Sequence, residues 1–128
     1  NIYTFYNLFN KNMILKPKIW LTILAVMHTL MGVIVSYQQF GSTANLGMFM
    51  YMAVVSVYLL YAAFMVEGQA QARLSTVICA PVVVWFIIAA IMKLELEGQP
   101  IAEMPMALLP LTLWSMPALI GIMNWNSE

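Results

Sequence analysis

Long uncharged stretches alternate with short polar ones along this chain. No charge falls between Ile19 and Val66, between Leu74 and Met92, or between Met104 and Ser127, which leaves uncharged runs of 48, 19 and 24 residues. A helix needs about 20 apolar residues to cross a hydrocarbon core of about 30 Å, so the longest run has room for two crossings. Its break is the polar, turn-forming stretch Gln38-Gln39-Phe40-Gly41-Ser42-Thr43-Ala44-Asn45, because Gly, Ser and Asn let a backbone leave a helix. The pattern predicts four helices, at about 19–37, 46–66, 74–92 and 106–123. In lipid every backbone polar group must be satisfied within its own segment, so spans of this length are helices rather than isolated strands.

The expected fold class is therefore all-α: a polytopic membrane protein whose four transmembrane helices form an antiparallel bundle, one domain over 19–123. Residues 1–18 are expected to be cytoplasmic or interfacial and 124–128 to be a cytoplasmic tail. Met13, followed by Lys16-Pro17-Lys18 and an apolar run, looks like a natural start, which would make 1–12 upstream sequence, a fragment edge or an interfacial segment. The first apolar run is longer than a signal-peptide core, and no small-x-small site follows it closely, so that helix is expected to stay.

Composition agrees with this reading. Of 128 residues, 63% are hydrophobic and 8% charged, with a mean hydropathy of +0.87, against roughly 25% charged residues in an ordinary soluble domain. A soluble monomer, a disordered chain and a basic nucleic-acid binder are excluded. Lys and Arg set the orientation: Lys11, Lys16, Lys18 and Arg73 lie on one side and only Lys93 on the other, which puts both termini in the cytoplasm. Trp20 and Trp125 then fall at the cytoplasmic interface, where an aromatic belt belongs. The expected location is a bacterial inner (plasma) membrane.

Counting about 1.5 Å per residue, His28 lies near the midplane of the first helix. Ser56, Tyr58, Trp85, Trp114 and Ser115 reach similar depths, and this layer is the candidate ligand-binding site. Intramembrane ionisable groups usually face the bundle interior. The bland alternative makes His28 a hydrogen-bonded packing residue. Pro81 and Pro117 are expected to kink their helices and leave carbonyls free for buried indoles. Gly32 and Ser36 form a small-xxx-small pair suited to close helix approach, and Tyr51, Tyr58 and Tyr61 share much of one face of the second helix.

The inventory removes most chemistry. One His, one Cys and no Asp make neither a conventional zinc site nor a disulfide or Cys-x-x-Cys centre. No phosphate loop, His-Glu-x-x-His motif or serine elbow is present, so no catalytic residue, metal site or cofactor is assigned. Met48, Met50, Met52, Met92, Met104 and Met106 near the outer face raise Cu(I) handling, but Met50 points away from Met48 and Met52 on a helix, and Met commonly fills gaps between helices. The acidic loop from Lys93 to Glu103, with Gly98 and Pro100, reads as an exposed turn.

Four short helices in about 110 residues resemble the small multidrug-resistance antiporters in size and helix count. That family uses a membrane-embedded carboxylate in its first helix to exchange protons for cations; here the corresponding zone, Ala25-Val-Met-His28-Thr-Leu-Met-Gly32, holds no acid, so the likeness covers architecture alone. Three functions stand as expectations. The first is a non-enzymatic scaffold or accessory subunit of a membrane complex, partnered by lipid, by its own copies or by another membrane protein. The second is a small-ligand or proton-coupled transporter built on the His28 layer. The third is a lipid- or quinone-linked membrane enzyme.

Overall fold

The computed structural model describes residues 11–127, so the expectation for the first ten residues lies outside the described part. The protein is mostly helical, about 75%, with four main helices. A helical turn at Lys11–Ile14 precedes α1, Pro17–Phe40; α2 is Leu46–Phe64, α3 is Gly68–Met92, and α4 is Leu108–Met123. The first three are long and apolar enough to cross a membrane, whereas α4 has 16 residues. Between α3 and α4 the chain forms a two-stranded hairpin, β1 Glu95–Leu96 against β2 Gln99–Pro100, antiparallel, with Leu96 opposite Gln99. Glu97 and Gly98 at its tip have φ of 52° and 78°, the pair of left-handed residues that a two-residue type I′ turn requires.

Helix ends differ from the charge-based boundaries. Helix α1 runs on to Phe40 through Gln38 and Gln39, so the break is confined to Gly41–Asn45. There the Asn45 side-chain oxygen accepts from the Ser42 N–H at 2.7 Å while its amide donates to the Phe40 carbonyl at 2.9 Å. Helix α3 begins at Gly68, six residues before Leu74, and carries Gln71 and Arg73 within it. Uncharged runs mark what lipid tolerates; a helix extends beyond them for as long as its polar end finds partners. Pro17 opens α1, and Pro110 sits in the first turn of α4, where a missing N–H costs nothing.

Packing is most extensive between α3 and α4 and next between α1 and α2, with α1 also lying against α4. Most buried residues gather at the end where α1 and α3 begin and α2 and α4 finish: Leu21, Leu24 and Ala25 in α1, Leu59, Ala62 and Ala63 in α2, Ala72, Ser75 and Cys79 in α3, Ala118, Ile120 and Gly121 in α4. We call this the basal end and the other the hairpin end. Small side chains let the basal backbones approach closely, as in membrane interfaces generally. A Cβ on Gly121 would run into the Thr76 hydroxyl and the Ala72 carbonyl. Gly32, expected to serve such an approach, instead lies under the ring of His28 on its own helix.

Polar side chains tie the same end together. The Ser75 hydroxyl donates to the Pro117 carbonyl at 2.7 Å, and that of Thr76 lies 3.3 Å from the Ala118 carbonyl. Gln71 donates to the carbonyls of Ala62 and Ala63 at 3.0 and 3.1 Å, two of the four that the end of α2 leaves without helical partners. Asn124 donates to the Leu15 carbonyl at 2.9 Å, Trp20 to that of Ile14 at 2.7 Å, and Arg73 to that of Trp125 at 3.2 Å while lying over its ring.

Candidate functional site

Towards the hairpin end the four helices separate around one cavity of about 750 Å³. Its size falls within the range of ligand pockets, roughly 300–1,000 Å³. All four helices contribute: Leu24, Met27, His28, Met31, Gly32 and Ser36 from α1; Met48, Tyr51, Met52 and Val55 from α2; Pro81, Val82, Trp85 and Phe86 from α3; Pro110, Leu113 and Trp114 from α4, with Met106 and Leu109 near its start and Leu96 from the hairpin. No charged side chain lines it. Five methionines, flexible and polarisable, make much of the wall adaptable. A smaller apolar cleft of about 270 Å³ lies beside it between α3 and α4, sharing Phe86.

Helix α1 is not uniform. From His28 to Val35 its hydrogen bonds follow the wider π pattern, and no residue of this segment is buried. Met27 and Ser36 are nine residues apart, about two and a half α-turns, and would lie on opposite faces of a regular helix; the wider turns bring both to the cavity. Two hydroxyls bond to carbonyls within this region, Thr29 to Ala25 and Ser36 to Met31, both at 2.7 Å. Such π segments are common at functional sites.

His28 stands at the inner end of the cavity. Its Nε2 lies 3.0 Å from the Met52 carbonyl oxygen on α2. A carbonyl only accepts, so Nε2 carries the proton in this bond, and in the neutral ring Nδ1 is left as an acceptor. No hydrogen bond to Nδ1 is present among the described residues, and no buried polar side-chain atom there lacks a partner. Nδ1 therefore keeps some accessible surface and lies beside the bare Cα of Gly32, and both residues line the cavity. The Trp114 indole meets the imidazole edge to face, with centroids 5.4 Å apart at 80°, an arrangement worth about 0.5–1.5 kcal/mol between aromatic rings.

Of the six residues placed in the candidate layer, the structure brings His28, Trp85 and Trp114 to this cavity. Ser56 is buried just behind it, its hydroxyl 3.4 Å from the same Met52 carbonyl that His28 reaches. Tyr58 and Ser115 do not line it: Tyr58 lies exposed on α2, and Tyr51 is the tyrosine of the wall. Among the described residues, neither Trp85 nor Trp114 bonds to a carbonyl near a proline; Trp85 leans on Phe86, centroids 5.1 Å apart. Met48, Tyr51, Met52 and Val55 repeat at helical i, i+3, i+4, i+7 spacing, a pattern legible in sequence that points to this wall. Gly32 and Ser36, at i+4 and i+8 from His28, are equally legible. The π segment has no such signature.

Comparison with known family models, curated proteins and solved structures finds no match to this chain, so its site is read from geometry alone.

Proposed function

We propose that this chain is a four-span integral membrane protein that holds a small, largely apolar molecule between its helices, as a binding or carrier protein rather than an enzyme. The observation that carries the reading is the cavity itself: about 750 Å³, lined by all four helices, uncharged, with a single imidazole at its inner end. A scaffold needs apolar outer faces but no such interior space. A membrane enzyme needs reactive groups in convergence, and this wall offers His28, Tyr51 and Ser36 without a second acid or base.

Four crossings are supported by the pairing of α4 with α3, its most extensive partner, and by polar residues at both of its ends. Its 16 residues span about 24 Å, a shortfall that the bilayer accommodates by local thinning. The Lys and Arg asymmetry puts the basal end and both termini in the cytoplasm.

Native mass spectrometry of the full chain, released gently from its own membrane, tests the reading. The expected result is a reproducible extra mass from a small molecule, lost in Leu113→Trp, which fills the cavity. A bare protein in both cases sinks it. A second reading, an accessory subunit, is favoured by Tyr58 and Tyr61, which are exposed on α2 away from the cavity lining, on a helix whose main contacts are with α1. That reading expects a co-purifying polypeptide in the same spectra.

A further inference from the structure

We infer that the molecule held in the cavity is an uncharged alcohol or phenol on an apolar body, and that its hydroxyl donates a hydrogen bond to Nδ1 of His28. This rests on the ligand-binding reading above and deepens it. The polarity of the bond follows from α2: the Met52 carbonyl fixes the ring proton on Nε2 at 3.0 Å, which leaves Nδ1 to accept. A carbonyl, an ether or a pure hydrocarbon has nothing to donate there, whereas a hydroxyl does.

Three further features narrow the class. No Lys, Arg or Glu lines the cavity, so an anionic or cationic head would be buried without a countercharge, a costly arrangement in the membrane. Gly32 presents no side chain beside Nδ1; a Cβ there would stand 3.2 Å from that nitrogen. Beyond His28 the wall is mostly Met, Trp, Phe, Leu and Val, with the hydroxyls of Tyr51 and Ser36 as its other polar groups. From His28 to Ser36 it runs along α1 for less than the length of eight α-helical steps, about 12 Å. The hydroxyl thus sits deepest and the apolar body points to the hairpin end, opposite to the way an amphiphile lies in a leaflet. Hydroxyl-bearing rings and chains of this length fit, the reduced form of a quinone among them and its oxidised form less well.

The test uses two probes that share one apolar body, 4-nonylphenol and its methyl ether, titrated into the full-length protein in detergent with tryptophan fluorescence as the readout. The expected result is a preference of about three- to tenfold for the phenol, the worth of one hydrogen bond. His28→Ala should abolish that preference while leaving ether binding in place; comparing the phenol-to-ether ratio between the two proteins cancels their different partitioning into detergent. Gly32→Ala, which keeps the imidazole and crowds Nδ1, should reduce the preference as well, and it serves if His28→Ala does not fold. An equal ratio in wild type and His28→Ala, with both probes binding, overturns the hydroxyl assignment but leaves the cavity a binding site. Failure of both probes to bind the wild type, with the Leu113→Trp variant indistinguishable from it, overturns both.

Discussion

Gly121 and Gly47 are chemically the same residue in opposite settings, and they should respond to the same substitution with opposite sign. At Gly121 an added Cβ meets the Ala72 carbonyl and the Thr76 hydroxyl, part of a neighbouring helix that cannot swing aside. At Gly47, in the first turn of α2, it meets nothing. Gly121→Ala should lower stability by about 1–3 kcal/mol through overpacking, and Gly47→Ala should raise it by about 0.4–1 kcal/mol through the unfolded state. Thermal unfolding of both variants in one detergent checks this; a Gly121→Ala protein as stable as wild type would mean that α3 and α4 are not in close contact at that point. Sequence alone picked Gly32 and Ser36 as the small-residue contact, because spacing identifies small pairs but not which face they occupy. His28, Trp85 and Trp114 were legible as one layer because depth along a helix can be counted. Tyr58 entered that layer by its depth; Tyr51 lies two turns away on much the same face of α2, and only the packing shows that the cavity opens at the level of Tyr51, towards the hairpin end.

At the scale of the element, existence and order of the four helices follow from the uncharged runs, whereas their ends do not. Gln71 shows why. It belongs to a polar stretch that the charge pattern leaves outside the third helix, yet it is buried and its amide serves two carbonyls at the end of α2. Gln71→Leu keeps the volume and removes both donors, so the carbonyls of Ala62 and Ala63 lose side-chain partners in a buried place. The expected cost is about 1–3 kcal/mol, read as a lower midpoint in a detergent-denaturation series; an unchanged midpoint would show that water or the backbone satisfies those carbonyls instead. The π segment of α1 was also beyond the sequence. It contains no proline, and the i−4 bond of the Thr29 hydroxyl is one that ordinary helices make too, while the i−5 reach of Ser36 to Met31 accompanies the wider turns and has no signature in the residues themselves. Only tertiary placement shows that it turns both Met27 and Ser36 to the cavity.

The whole molecule is asymmetric along its axis: small residues and hydrogen-bonded side chains close the basal end, while large flexible side chains leave the hairpin end open around a cavity. Which compartment a ligand meets therefore depends on orientation. Four of the five Lys and Arg lie at or before the basal end and Lys93 beside the hairpin, so the expectation from the positive-inside rule is an open end that faces away from the cytoplasm. Single cysteines at two exposed positions, Gln99→Cys beside the hairpin turn and Ser127→Cys after α4, make this measurable, since Cys79 is fully buried and contributes little background. A membrane-impermeant maleimide added to intact cells should label Gln99→Cys, and should reach Ser127→Cys only after the cells are opened. The reverse pattern would turn the cavity towards the cytoplasm and make the ligand a cytoplasmic or inner-leaflet molecule. Labelling of both from outside would mean that α4 does not cross, and its 16 residues would then form a re-entrant or interfacial wall of the cavity.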